Sequence, residues 1–276
     1  MLEYMLAFFK SWFIYPDLSW HLLLIGISLA IVFGAVWFAP YWAPILKKPW
    51  AWAVLVGSAI LTWAAVAFIQ IPLQALTGQV LVHFWSQEVL MSWLLLAGIP
   101  QILLSGLVQE GSKLVPVVVY WWRKGKNIDP KLGLAIGAVA GVGFGIFEAQ
   151  WVHNTIFAYG LSWEMVQTEG LMVLAGFWER FFTVAFHTAS CALAGWGLAK
   201  GWGWQFYLIA SFLHGFLNYS AVLFQSGVIT VIQAEIFVAV WAIVVTGGAL
   251  WLRWRKPAVL AESEVSPAET SSTESV

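Results

Sequence analysis

The chain has 276 residues, of which 61% are apolar and only 10% charged, whereas a soluble domain carries about 25% charged residues. Fourteen acids against thirteen bases leave a formal net charge of −1, so there is no electrostatic footprint for binding nucleic acid. A single Cys excludes an internal disulfide framework and any multi-Cys zinc module. The twenty Trp residues suit the membrane–water boundary, where amphipathic indole rings settle. The composition is that of an all-α, polytopic transmembrane helix bundle in a cell membrane.

A spanning helix needs about 20 predominantly apolar residues, because each residue rises about 1.5 Å through a hydrocarbon core about 30 Å thick. In chain order, residues 1–19 form an N-terminal interfacial segment: 2–15 are apolar but short and contain Glu3 and Lys10. With Glu3 in place of a basic cluster, and Ala51-Trp52-Ala53 opening the second span, this segment reads as an uncleaved anchor rather than a signal peptide. Seven spans are predicted near 20–40, 51–69, 98–122, 132–152, 178–199, 204–225 and 230–252. Residues 86–97 run through Gly98-Ile99-Pro100 into the third span and read as a kinked extension or a shallow re-entrant piece. The bundle occupies 20–255, and 256–276, rich in Ser, Glu and Pro, is expected to be a disordered cytoplasmic tail.

Basic residues test this count. Lys47, Lys48, Arg123, Lys124, Lys126, Lys131, Lys200, Arg253, Arg255 and Lys256 all fall on one side, while the opposite loops hold Glu88, Glu164 and Glu169. The positive-inside rule then puts the N-terminus outside and the C-terminus in the cytoplasm.

Ionisable groups at membrane depth cost several kcal/mol unless partnered or facing water, so they mark function by default. Those left are Glu110 and Lys113 on the third span, Glu148 on the fourth, His187 on the fifth and His214 on the sixth. Counted at about 1.5 Å per residue from the basic ends, the two Glu and two His fall about 18–25 Å up, within roughly two helical turns of one another. Two carboxylates and two imidazoles at one depth suit hydrolysis: a carboxylate takes a proton from water, while imidazoles bind a metal or stabilise an oxyanion. His214 and Asn218 are i, i+4 on one helix face, so the amide is a candidate neutral donor to that oxyanion. Arg180, seven residues from His187 on the same face, is placed to neutralise Glu148.

These residues carry a resemblance. Gln109-Glu110-Gly111-Ser112-Lys113, a basic loop, then Gly143-Phe144-Gly145-Ile146-Phe147-Glu148, resembles the PrsW family of intramembrane proteases. Glu179-Arg180 with His187, followed by His214 and Asn218, is similar to the YhfC-type metalloproteases, and both resemble the wider group of CAAX-processing and bacteriocin-processing endoproteases. The resemblance covers about residues 100–225 and implies a hydrolytic centre of Glu110, Glu148, His187 and His214, to which the helix spacing adds Asn218, with Lys113 and Arg180 in support. Glu148, His187 and His214 are the metal ligands it suggests, for a divalent metal such as zinc, and the substrate it implies is a membrane protein or peptide in the lipid bilayer. The family pattern usually begins with two adjacent acids, whereas this chain has Gln109 before Glu110. Adjacent helix residues point about 100° apart, and Glu110 is taken as the base.

Other readings of the same residues stay open. Glu110 with Lys113 also fits a neutralised i, i+3 pair, Glu148 a simple partner of Arg180, and His187 or His214 with Asn218 interhelical hydrogen bonding. A proton-coupled carrier, or a scaffold or sensor that keeps the fold without the chemistry, are the alternative functions. Glu235 reads as a solvated carboxylate, His21, His83 and His153 as interfacial, and Cys191 as a packing residue. Gly133, Gly137, Gly141 and Gly145 form a small-residue stripe, which predicts that the fourth span packs centrally and carries Glu148 into the bundle.

Overall fold

The computed structural model describes residues 1–15, 18–41 and 44–255; the expected tail at 256–276 lies outside them. Every element among the described residues is helical: α1 (Leu2–Lys10), α2 (Trp20–Phe38), α3 (Pro49–Ala65), α4 (Ile71–Phe84), α5 (Gln87–Ser92), α6 (Leu94–Ala97), α7 (Ile99–Arg123), α8 (Pro130–Ala158), α9 (Trp163–Glu169), α10 (Ala175–Ala199), α11 (Gly203–Gln225) and α12 (Val231–Trp254). Seven stretches among the described residues are long and apolar enough to cross a membrane; six contain a predicted span whole and the seventh, Val231–Trp254, starts one residue after the predicted 230.

The centre of the bundle is α8 against α10. In these two spans 78% and 83% of the most apolar stretch is buried, against 22% in the first span. The glycine stripe explains the pairing. A Cβ at Gly133, Gly137 or Gly141 would run into the carbonyl oxygen of Gly195, Cys191 or His187 respectively, and one at Gly145 would press on Val184. The two antiparallel helices therefore touch backbone to backbone, turn by turn, as small residues permit. A second close approach sets α7 on α11, where a Cβ at Gly106 would meet the Ser211 carbonyl. A third sets α8 on α3, where Gly143 lies against Leu55.

One segment differs from the sequence expectation. The second span does not end near residue 69 but runs as one 36-residue stretch from Pro49 to Phe84. Val66–Gln70 form a π-helical turn at the join of α3 and α4. Pro72 sits in the first turn of α4, and the widened turn takes up the missing N–H and the ring that would break an α-helix. The N-terminal segment packs on α3 and α8. Trp12 stacks on Phe147 with ring centroids 3.8 Å apart and its Nε1 donates to the Phe147 carbonyl at 2.8 Å, while Phe8 stacks on Trp63. Residues 86–97 form the short helices α5 and α6 that kink into α7.

Candidate hydrolytic centre

The close approaches of α8 to α10 and of α7 to α11 bring four helices' polar residues into one chain of contacts. Glu110 on α7 is fully buried, as is Lys113 one turn on. The Lys113 Nζ donates to Glu110 Oε1 at 2.5 Å, and His214 Nδ1 on α11 bonds the same oxygen at 2.7 Å. Lys113 Nζ also lies 3.0 Å from His187 Nδ1 on α10. The other nitrogen of that ring, Nε2, is 3.1 Å from Glu148 Oε2 on α8. Arg180 Nη1 reaches Glu148 Oε2 at 2.8 Å, and its other donors bind Glu179. The order is therefore Arg180, Glu148, His187, Lys113, Glu110, His214.

Donor and acceptor roles follow from what an ammonium can do. Lys113 only donates, so His187 Nδ1 accepts, and Nε2 carries the proton that goes to Glu148. His214 Nδ1 donates to the Glu110 carboxylate, which leaves Nε2 with the ring's lone pair. Aromatic rings close the surroundings: Phe144 packs edge-on to His187 and lies 5.6 Å from the Lys113 ammonium, while Phe186 packs edge-on to His214.

Of the residues named from sequence, Glu110, Lys113, Glu148, Arg180, His187 and His214 are joined in this chain. Asn218 is not in direct contact with it: its Nδ2 donates to Ser105 Oγ at 3.1 Å, one turn from His214. Gln109 points away from Glu110, as adjacent helix positions must, and its Nε2 bonds Gln70 Oε1 and Ser105 Oγ. Two partners of Glu110 were not foreseen. Ser190 Oγ lies 3.3 Å from both carboxylate oxygens, and the Cys191 thiol, expected only to pack, lies 3.6 Å from Oε2. Both are one turn or less from His187 on the helix already implicated, which is the one signal that could have found them.

Two expectations need correction. His153 is not interfacial but fully buried, its Nδ1 3.1 Å from the Gly26 carbonyl and its ring between Phe33 and Phe177, because α8 runs six residues past the predicted end at 152. Glu235 is only half-exposed, and its Oε2 is buried without a hydrogen-bond partner.

Fold and site together define a multi-pass integral membrane protein whose buried centre joins carboxylates and imidazoles from four spans. Residues 48–247, from the start of the second span into the last, match the PrsW family intramembrane metalloprotease model, and the chain belongs to that family. No curated protein and no solved structure matches it. Membership supports intramembrane proteolysis as the general activity.

The family name implies a metal, and the residues present fit one. Glu110, His187 and His214, all buried, offer one ligand atom each within 4.8 Å of one another, a carboxylate-and-two-imidazole set of the kind zinc takes. The Lys113 ammonium already holds a cationic position between Glu110 Oε1 and His187 Nδ1. In this grouping Glu110, rather than Glu148, stands with the two imidazoles.

Proposed function

We propose that the chain is an intramembrane endopeptidase that cleaves membrane-spanning or membrane-associated peptides with water activated by Glu110. The observation that carries this reading is a fully buried Glu110 held by Lys113 and His214 from two directions, in a chain of this family. Both strong donors hold Oε1, and Oε2 has only the longer contacts to Ser190 and Cys191. That asymmetry orients the carboxylate and leaves Oε2 as the oxygen that takes a proton from water and returns it to the leaving amine. His214 fixes Glu110 through Nδ1 and keeps its Nε2 lone pair for a metal. Glu148, itself clamped by Arg180, holds the His187 ring through Nε2, as a carboxylate commonly orients a functional imidazole. A divalent metal, when bound, would be held by His187 and His214 with Glu110, and would supply Lewis-acid polarisation of the scissile carbonyl.

The experiment is release of a fragment from tagged single-span reporters in membranes containing wild-type protein, Glu110→Gln or His214→Ala, with metal analysis of purified wild-type and of the His187→Ala, His214→Ala double variant. Fragment release by wild-type alone, and metal in wild-type that the double variant lacks, is the expected result. Release that persists in both single variants would overturn the assignment of the centre; equal, negligible metal in both proteins would limit the imidazoles to hydrogen bonding.

A further inference from the structure

One cavity of about 540 Å³ opens at the end of the bundle away from the basic loops, within the range of about 300–1,000 Å³ of ligand clefts. Its wall includes Gln74, Met91, Gln101, Ser105, Asn218 and Gln225, and among the described residues no charged one lines it. Ser105 lies about 7.5 Å along α7 from Glu110, and Asn218 about 6 Å along α11 from His214, by helical rise. The cavity therefore ends about two residues of extended chain, at about 3.3 Å each, from the reacting groups.

A continuous strip of polar side chains runs along the cavity wall through Gln74, Gln101, Ser105 and Asn218 and continues beyond it to Gln70 and Gln109. Asn218 and Gln109 both donate to Ser105 Oγ, Gln109 donates to Gln70 Oε1 at 3.0 Å, and Gln70 donates to Gln74, whose side chain donates to the Gln101 carbonyl while the Gln101 side chain donates to the Gln74 carbonyl. Gln70 is turned into this strip by the π-helical turn, a distortion frequent at functional sites. At its inner end Gln109, only 7% exposed, keeps Oε1 buried with no hydrogen-bond partner among the described residues. A buried acceptor left unpaired is costly, so this atom points to a donor that arrives with a ligand.

We infer that the strip from Gln109 through Ser105 to Asn218 is the docking site for an uncharged substrate segment in extended conformation, with Gln109 Oε1 accepting a backbone N–H beside the scissile bond. This deepens the proteolytic reading above and rests on it. The physical reason is general. A spanning helix satisfies its own N–H and C=O groups; unwinding it to expose a peptide bond leaves several unpaired where lipid offers no partner. Side-chain amides carry donor and acceptor together and can pair such backbone without discriminating among its side chains. The absence of charge along the cavity wall selects uncharged residues in the strand. Gln109 is thus a substrate-positioning residue.

The test separates binding from cleavage. A photo-reactive amino acid replaces Met91 in the cavity or, as control, Gly247 on the opposite part of the molecule, in the Glu110→Gln background. The probes are two single-span reporters, one with Gly and Ser in the half of its span nearest the cavity, the other with poly-Leu there. The expected result is a Met91 crosslink with the Gly/Ser reporter, little with poly-Leu, and a yield about tenfold lower on adding Gln109→Leu, while Gln109→Asn restores part of it. Equal crosslinking of both reporters, no dependence on Gln109, or crosslinks only to lipid would overturn the inference. Wild-type cleavage of the Gly/Ser reporter is scored separately. Cavity crosslinking without cleavage counts against the hydrolytic reading alone, and cleavage without cavity crosslinking against the docking strip alone.

Discussion

Replacing Gly141 by Ala tests whether the backbone contact of α8 with α10 positions the centre. An added Cβ would overlap the carbonyl oxygen of His187, which is backbone and has no rotamer to yield. Reaching ordinary contact beyond 3.4 Å requires the helices to separate locally by about 1 Å or more, a shift of the size that costs about 10²-fold in catalysis when it misplaces a reacting group. His187 takes the shift directly, and its 3.1 Å bond to Glu148 and 3.0 Å bond to Lys113 would lengthen beyond hydrogen-bonding range. Overpacking of this kind destabilises by about 1–3 kcal/mol. The comparison is Gly247→Ala, where an added Cβ meets nothing within 4 Å and better helix propensity works in its favour. A thermal melt in detergent and reporter cleavage are measured for both. Gly141→Ala is expected to melt lower and cleave about a hundredfold more slowly, with Gly247→Ala like wild-type. If the two variants behaved alike, the glycine stripe would not be what positions His187.

Three more outcomes follow from the same geometry. Lys113→Met strands the buried Glu110 carboxylate and should cost about 3–5 kcal/mol; adding Glu110→Gln should restore the melting temperature but not cleavage, and recovery of both would reduce the pair to a structural one. Arg180→Ala and Glu148→Gln remove the two sides of one clamp, so the double variant should lose little more activity than either single variant, and full additivity in a double-mutant cycle would show that they act independently. For topology, single cysteines at Lys126 and Glu164, with the native Cys191 buried, should label from opposite sides of the membrane; labelling from the same side would sink the seven-span arrangement.

Much of the site was legible because charge is expensive in lipid. Glu110, Glu148, His187 and His214 stood out once loops were set aside, and helical rise put them at one depth before any contact was known. The Glu148–Arg180 pair and the central place of α8 followed from spacing and from the glycine stripe. What the sequence hid was uncharged or depended on backbone detail. Gln70, Gln74, Gln101 and Gln109 carry no charge to flag them, and their alignment depends on a π-helical turn that periodicity cannot show. The second span was expected to stop near residue 69 because the widened turn that lets the helix run on past Pro72 has no sequence code. His153 was misjudged because its burial depends on how far α8 continues and on Phe33 and Phe177 closing over it, both matters of tertiary packing. Depth did distinguish the carboxylate that joins the imidazoles: counted from the basic ends, Glu110 lies about 20 Å up, level with His187 and His214, whereas Glu148 lies about 25 Å up.

The most direct test of Glu110 as the water-activating base is the cleavage rate of a purified, reconstituted reporter by Glu110→Gln and by Gln109→Ala, each confirmed as folded by its melt. The amide preserves the shape of the carboxylate and cannot accept the proton, so Glu110→Gln should lose about 10²–10⁴-fold. Gln109→Ala, on a helix face about 100° away, should lose no more than about tenfold, through weaker substrate binding. Near-wild-type cleavage by Glu110→Gln, with cleavage abolished in Gln109→Ala, would contradict the account and move the catalytic role to the neighbouring position.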